Sequence, residues 1–291
     1  MRTHIIVAMV AAAFSGSIAS AKTPAIPAAI FTDPAPNKAH PARMTVVHIP
    51  SGGVKINGVA YLASGAGLHP TMIFFHGWPG NEKNLDLAQA VRRAGWNVVT
   101  LNYRGSWGSP SNFRFAQNLE DADAALAFVR DPANAAKLGI DPKRIVIAGH
   151  SMGGWVTAMT AEHDRGIIGA ILISAANMGN VGTIPRANLV ALAADSMESL
   201  AGVTAESMAD ELVANKDTFD WNKNSKGLAN TPLLILSSDD GLAPMTDALA
   251  ANVRKNGGKR VSSVHEATDH SWSDKRIRLQ SAVIGWLATL K

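Results

Sequence analysis

The residues best suited to chemistry are a serine between glycines, Gly149-His150-Ser151-Met152-Gly153. They stand directly after an apolar run over 144–148 and before a helical pattern over 152–163. A serine hydroxyl is a poor nucleophile until a base takes its proton and a carboxylate orients that base. A G-x-S-x-G turn between strand and helix lifts the serine clear of the backbone, where such partners can reach it. They are expected later in the chain, acid before histidine. The apolar run 233–237 leads into Ser238-Asp239-Asp240-Gly241, and Thr268-Asp269-His270-Ser271-Trp272 precedes the last helical pattern. Asp240 comes 89 residues after Ser151, and His270 a further 30. Spacing leaves Asp239 and Asp240 both open as the acid, while His265 sits too early, near a strand end. The chemistry of such a trio is acyl transfer. The serine pattern alone is weak, arising by chance in roughly a tenth of chains this long. Its competing reading is a turn in which Ser151 caps the helix.

The elements around these residues decide between the two readings. Runs at 44–49 and 59–63 read as an antiparallel opening pair about Ser51-Gly52-Gly53. Apolar strands follow at 71–75, 97–101, 144–148, 170–174 and 233–237, with a short one near 260–264. Continuous apolar strands suit a parallel sheet covered on both faces. Helical patterns lie between and after them at 84–94, 119–130, 152–163, 245–256 and 274–290. This alternation predicts an α/β fold, a mostly parallel, doubly wound sheet with helices on both faces, spanning 44–291. Ligands of such sheets sit beyond the carboxyl ends of the strands.

Composition excludes other classes. The chain has 291 residues, 47% hydrophobic and 17% charged, with no cysteine. Disulfides, zinc–thiolate sites, Fe–S clusters and thiol nucleophiles are thereby ruled out. The net charge of +4 is small and the basic stretches are short, which predicts no nucleic-acid partner. No cofactor and no metal are expected: His76 has no H-x-x-x-H, carboxylate cluster or cysteine beside it. Arg2, the apolar stretch 5–14 and Ala19-Ser20-Ala21 have the layout of a cleaved signal peptide over 1–21, which predicts a periplasmic or secreted protein. No later segment is long and apolar enough to span a bilayer. Residues 22–43, with most of their prolines before Pro41, read as an extended arm. The 53 residues from 178 to 230 exceed an ordinary connection. They read as a helical cap, with short helices at 188–194, 195–201 and 205–214 and Thr204 as an N-cap.

Together, His76-Gly77-Trp78-Pro79-Gly80, Gly149–Gly153, Asp240 and His270 resemble the α/β-hydrolase superfamily over roughly 44–290. The resemblance implies Ser151 as nucleophile, His270 as general base and then acid, and Asp240 as the orienting carboxylate. Asp240 is preferred because the family's acid typically lies four residues before a proline, here Pro244. It also implies an oxyanion loop at 76–80, with the amides of Trp78 and Met152 as donors and His76 holding the loop. Losing one such donor typically costs about 3–4 kcal/mol. Asn102-Tyr103-Arg104-Gly105 resembles the family's next loop, where Arg104 is expected to be a structural partner rather than a substrate ligand. Tryptophans 78, 107, 155 and 272 flank the motifs. Trp107 and Trp272 are expected to contact substrate and Trp155 to fill the helix core. The implied activity is hydrolysis of a carboxylic ester on a small, uncharged acyl substrate. The alternative is a small peptidase of the prolyl-oligopeptidase-like or aminopeptidase type, for which Asp195, Glu198, Glu206, Asp210 and Glu211 could hold an amine. Serine at 151 disfavours epoxide and haloalkane chemistry, which uses aspartate there. A non-catalytic ligand-binding member of the fold is disfavoured by the intact trio.

Overall fold

The computed structural model describes residues 25–223 and 225–290. The expected signal peptide and the first residues of the arm lie outside them. Eight strands form one open sheet: β1 (Arg43–Ser51), β2 (Val54–Leu62), β3 (His69–Phe75), β4 (Asn97–Leu101), β5 (Ile140–His150), β6 (Ile167–Ile173), β7 (Leu233–Ser238) and β8 (Val261–Glu266). Their spatial order is β1-β2-β4-β3-β5-β6-β7-β8. β1 pairs antiparallel with β2, and β2 antiparallel with β4. Every pairing from β4 onward is parallel.

Alternation along the central strands divides the core in two, because successive side chains point to opposite faces. Ile73, Phe75, Ile147, Leu172 and Ile235 join one buried cluster; Met72, Phe74, Val146, Ile171 and Leu234 join the other. The first face is covered by α2 (Phe115–Arg130), α4 (Met152–His163) and α8 (Ala243–Lys255). The second is covered by α1 (Leu85–Arg93) and α9 (Arg276–Leu287). Both faces being dry is why these strands read as unbroken apolar runs. The arm is extended about one 3-10 turn, Ala28–Ile30, and Arg93 of α1 donates to the carbonyls of Ala29 and Ile30 at 2.5 and 2.8 Å.

Three expectations are corrected. β2 begins at Val54 rather than residue 59. A helix absent from the sequence reading, α3 (Pro132–Leu138), follows α2. The expected helix over 195–201 is instead turns and a bridge, because its backbone pairs with a neighbouring loop. Trp107 N–H donates to Ser199 O, Ala201 N–H to Gly105 O and Phe113 N–H to Ala201 O, at 2.8–2.9 Å. The rest of the insertion holds α5 (Met178–Val181), α6 (Arg186–Ala194) and α7 (Ala205–Asn215). Thr204 caps α7 through a reciprocal box with Ser207.

Candidate active site

Ser151 sits between β5 and α4 with φ 57° and ψ −123°, a left-handed backbone that costs a non-glycine residue about 1–3 kcal/mol. The surroundings impose it. Ser151 N–H donates to Ile173 O at 2.9 Å, and Ser151 O accepts from Gly154 and Ala176. The flanking glycines are there for space: a Cβ on Gly149 would lie 2.0 Å from Gly153 O, and one on Gly153 2.1 Å from Phe75 O. Ser151 is therefore held as an elbow. Its side chain makes no capping hydrogen bond, so the helix-cap reading fails.

The loop after β3 crosses directly over this elbow. A Cβ placed on Gly77 would stand 3.0 Å from Ser151 Cβ and 3.5 Å from its Oγ. His76 Nδ1–H donates to Gly77 O at 2.8 Å. That carbonyl shares a planar peptide unit with the Trp78 N–H, so the bond also sets the direction of the amide. Burial first, with Lys83 adding, pushes the His76 pKa down to about 4 against the opposing pull of the Gly77 carbonyl. His76 is thus neutral at pH 7 and holds the loop. The other expected donor, Met152, is the first residue of α4, where a helix leaves its N–H without an internal partner.

On the far side, His270 Nδ1 meets Asp240 Oδ2 at 2.7 Å. A carboxylate only accepts, so Nδ1 carries the proton and Nε2 is left as the base. The Asp240 side chain is 5% exposed and also accepts from Leu242 N–H at 2.9 Å. Burial opposes its charge, yet the bonds from His270 and Leu242 outweigh that and hold the carboxyl below its usual range. His150, next to the elbow, donates from Nε2 to His270 O at 2.9 Å, with the two rings 4.6 Å apart. Burial and the neighbouring His270 lower the His150 pKa to about 4. The sequence reading gave His150 no role. Among the described residues, no hydrogen bond joins Ser151 Oγ to His270, whose carbonyl is instead tied to the neighbouring His150.

Other expected residues divide. Trp107 is 37% exposed with φ 49°, and its indole N–H donates to Pro79 O at 2.8 Å. Trp272 is not a substrate wall: it is fully buried in the second cluster, and its N–H is committed to Ser174 Oγ at 3.0 Å. Trp155 is core, bonded to Phe219 O. Arg104 is structural, with Nε 2.7 Å from the fully buried Asp121 and Nη2 2.5 Å from Glu120. Asp239 pairs with His265 at 3.0 Å on the surface. Among the described residues, no group of three or more His, Asp or Glu could hold a metal, and no helix is long and apolar enough to cross a membrane.

A strained serine elbow, a loop laid over it and a histidine–carboxylate pair at one end of an open α/β sheet define a family. The chain belongs to the alpha/beta hydrolase family, whose profile matches residues 72–276. Carboxylesterase NlhH of Mycobacterium tuberculosis is 35% identical over 109 residues, 36% of this chain and 32% of that protein. Carboxylic ester hydrolase LipN of the same species is 28% identical over 127 residues, 42% of this chain and again 32% of the relative. The chain thus matches about a third of the length of these relatives. The thermostable carboxylesterase EstE1, cloned from a metagenomic library, superposes with a TM-score of 0.62 at 24% identity, covering 87% of this chain and 91% of that one. A puromycin-hydrolysing peptidase of Mycobacterium tuberculosis gives 0.63 at 17%, covering 88% and 40%. At these identities the structures establish the fold.

Proposed function

We propose that the protein is a serine hydrolase that cleaves a carboxylic ester through an acyl-Ser151 intermediate. His270 takes the Ser151 proton as the hydroxyl attacks, then gives it to the leaving alcohol. Asp240 fixes the imidazole and stabilises its cation. The amides of Trp78 and Met152 receive the oxyanion. Water, deprotonated by His270, then releases the acid. The observation that carries this reading is the 2.7 Å His270–Asp240 bond, tied through His150 to the left-handed elbow that holds Ser151. The carboxylesterase relatives favour an ester.

The peptidase alternative needs free carboxylates for a substrate amine. Asp210 is engaged by Arg186, Glu211 by the Ala116 amide and Glu198 by Asn81. We also infer that residues 1–21 direct export, so the mature chain would begin at Lys22; mass spectrometry of the exported protein checks the cleavage point. Fluorophosphonate should label the protein, and Ser151→Ala should abolish labelling and hydrolysis. Graded p-nitrophenyl esters should be turned over faster than aminoacyl anilides. Faster anilide turnover would overturn the ester assignment, and labelling that survives Ser151→Ala would overturn the nucleophile.

A further inference from the structure

The loop carrying the Trp78 amide is held from more than one side, and one hold comes from the cap insertion. His76 secures Gly77 O. Two residues on, Pro79 O accepts two hydrogen bonds: from Trp107 Nε1 at 2.8 Å and from Ser199 Oγ at 3.2 Å. Trp107 belongs to the loop between β4 and α2, and Ser199 to the irregular stretch of the insertion. The two donors are tied to each other, because Trp107 N–H donates to Ser199 O at 2.9 Å and Leu200 bridges Ser106. The Lys83 ammonium lies 4.1 Å over the Trp107 ring and donates to Asn102 Oδ1, while Asn102 Nδ2 donates to Trp107 O. Asn81 Nδ2 reaches Glu198 Oε1 at 3.3 Å, so the chain just past Pro79 is attached to the insertion as well.

We propose that Trp107 and Ser199 are positioning residues for the oxyanion hole, so that the cap completes the hole instead of only covering the substrate. This rests on the serine-hydrolase reading above. The proline ring fixes φ at residue 79, and pinning its carbonyl restricts the remaining torsion there. The two Trp78 torsions lie between the clamp and the Trp78 N–H, and their far end is held by His76 through Gly77 O, which shares a peptide plane with that N–H. An oxyanion donor acts through its aim at charge that exists only in the transition state. A loop free to rock by about an ångström therefore loses turnover rather than substrate binding. Cap movement that detaches Ser199 would loosen the hole at the same moment, which couples turnover to a seated cap.

The test compares Ser199→Ala, Ser199→Thr and Trp107→Phe with the parent protein, by ester kinetics, fluorophosphonate labelling and melting temperature. Ser199→Ala and Trp107→Phe should each lower kcat and the maximal labelling rate about tenfold, leaving KM within about twofold. Ser199→Thr keeps the hydroxyl and should restore most of the rate, and melting temperatures should not move. Parent-like kcat in both variants, a loss confined to KM, or a threonine variant as slow as alanine would overturn the clamp. Ser151→Ala, run in parallel, separates the two readings. Labelling that survives it removes the serine mechanism and the clamp together. Labelling lost with Ser151→Ala but parent-like in the clamp variants removes the clamp alone.

Discussion

Two Ser, His and Asp groupings lie side by side at the carboxyl end of β7, dividing between the neighbours Asp239 and Asp240. In the first, His270 meets Asp240 at 2.7 Å and its carbonyl is bonded to His150, the residue before Ser151. In the second, His265 Nε2 meets Asp239 at 3.0 Å and its Nδ1 meets Ser237 Oγ at 3.0 Å. By hydrogen bonds alone the second set is the more complete relay. It lacks everything else. Asp239 is 62% exposed where Asp240 is 5% exposed, so its charge is diluted by water. Ser237 lies within the regular ladder of β7, opposite His265, and Ser238 continues the strand after it, so no helix starts there as α4 does after Ser151. A nucleophile thus depends less on three side chains meeting than on backbone that aims the hydroxyl and offers amides to the oxyanion.

The sharpest way to break this contrast is to neutralise each carboxylate. Asp240→Asn keeps the shape but holds the imidazole in the wrong tautomer, and should lower kcat by about 10⁴-fold. Asp239→Asn and Ser237→Ala should stay within about twofold of the parent. Steady-state ester hydrolysis decides it, and the reverse order would move the acid to Asp239. A smaller effect should follow at His150, which has no counterpart in the surface set. His150→Phe keeps a ring but removes the donor to His270 O, so the backbone that carries the imidazole loses that hold. We expect kcat to fall about tenfold, with about 1–2 kcal/mol of stability lost. His265→Phe should change neither, by ester kinetics and urea unfolding. Equal effects at the two positions would show that His150 does not position the base.

Much of this was legible because the demands were local. The serine elbow needed glycines on both sides, and the dry central strands left unbroken apolar runs. What stayed hidden was set by distant partners. The second strand was started at residue 59, yet β2 runs from Val54 because Gly58 lets the strand press against Thr100 O. α3 carried a signal that could have found it: Asp131 as N-cap, Pro132 at the first helical position and Gly139 in the left-handed conformation at its end. Trp272 sat beside His270 in sequence and so was placed with the substrate, but nothing local reveals that Ser174 draws its indole inward. The 195–201 stretch has helical spacing, and only the fold supplies the loop that takes its backbone bonds. His150 is one x of its motif, and its partner lies 120 residues away.

The last expected effect concerns acid and the buried histidines behind the elbow. His76 and His150 have folded pKa values of about 4 against an ordinary 6.5, so the unfolded chain binds their protons first as pH falls. The stability held by their neutral forms is whole above about pH 6.5 and drains as pH drops toward 4. Each contributes on the order of 1 kcal/mol per pH unit inside that window. Glu211 acts in the opposite sense, since burial raises its carboxyl, and it regains a little stability as the pH falls. The lowered carboxyls Asp86, Asp164 and Asp240 add their losses chiefly below that window. Urea midpoints measured from pH 7.5 to 4 should therefore decline for the parent. The decline should be shallower in His150→Phe. A parent profile flat between 6.5 and 4 would mean that the histidines behind the elbow are not held neutral. The reason given for their placement would then fail.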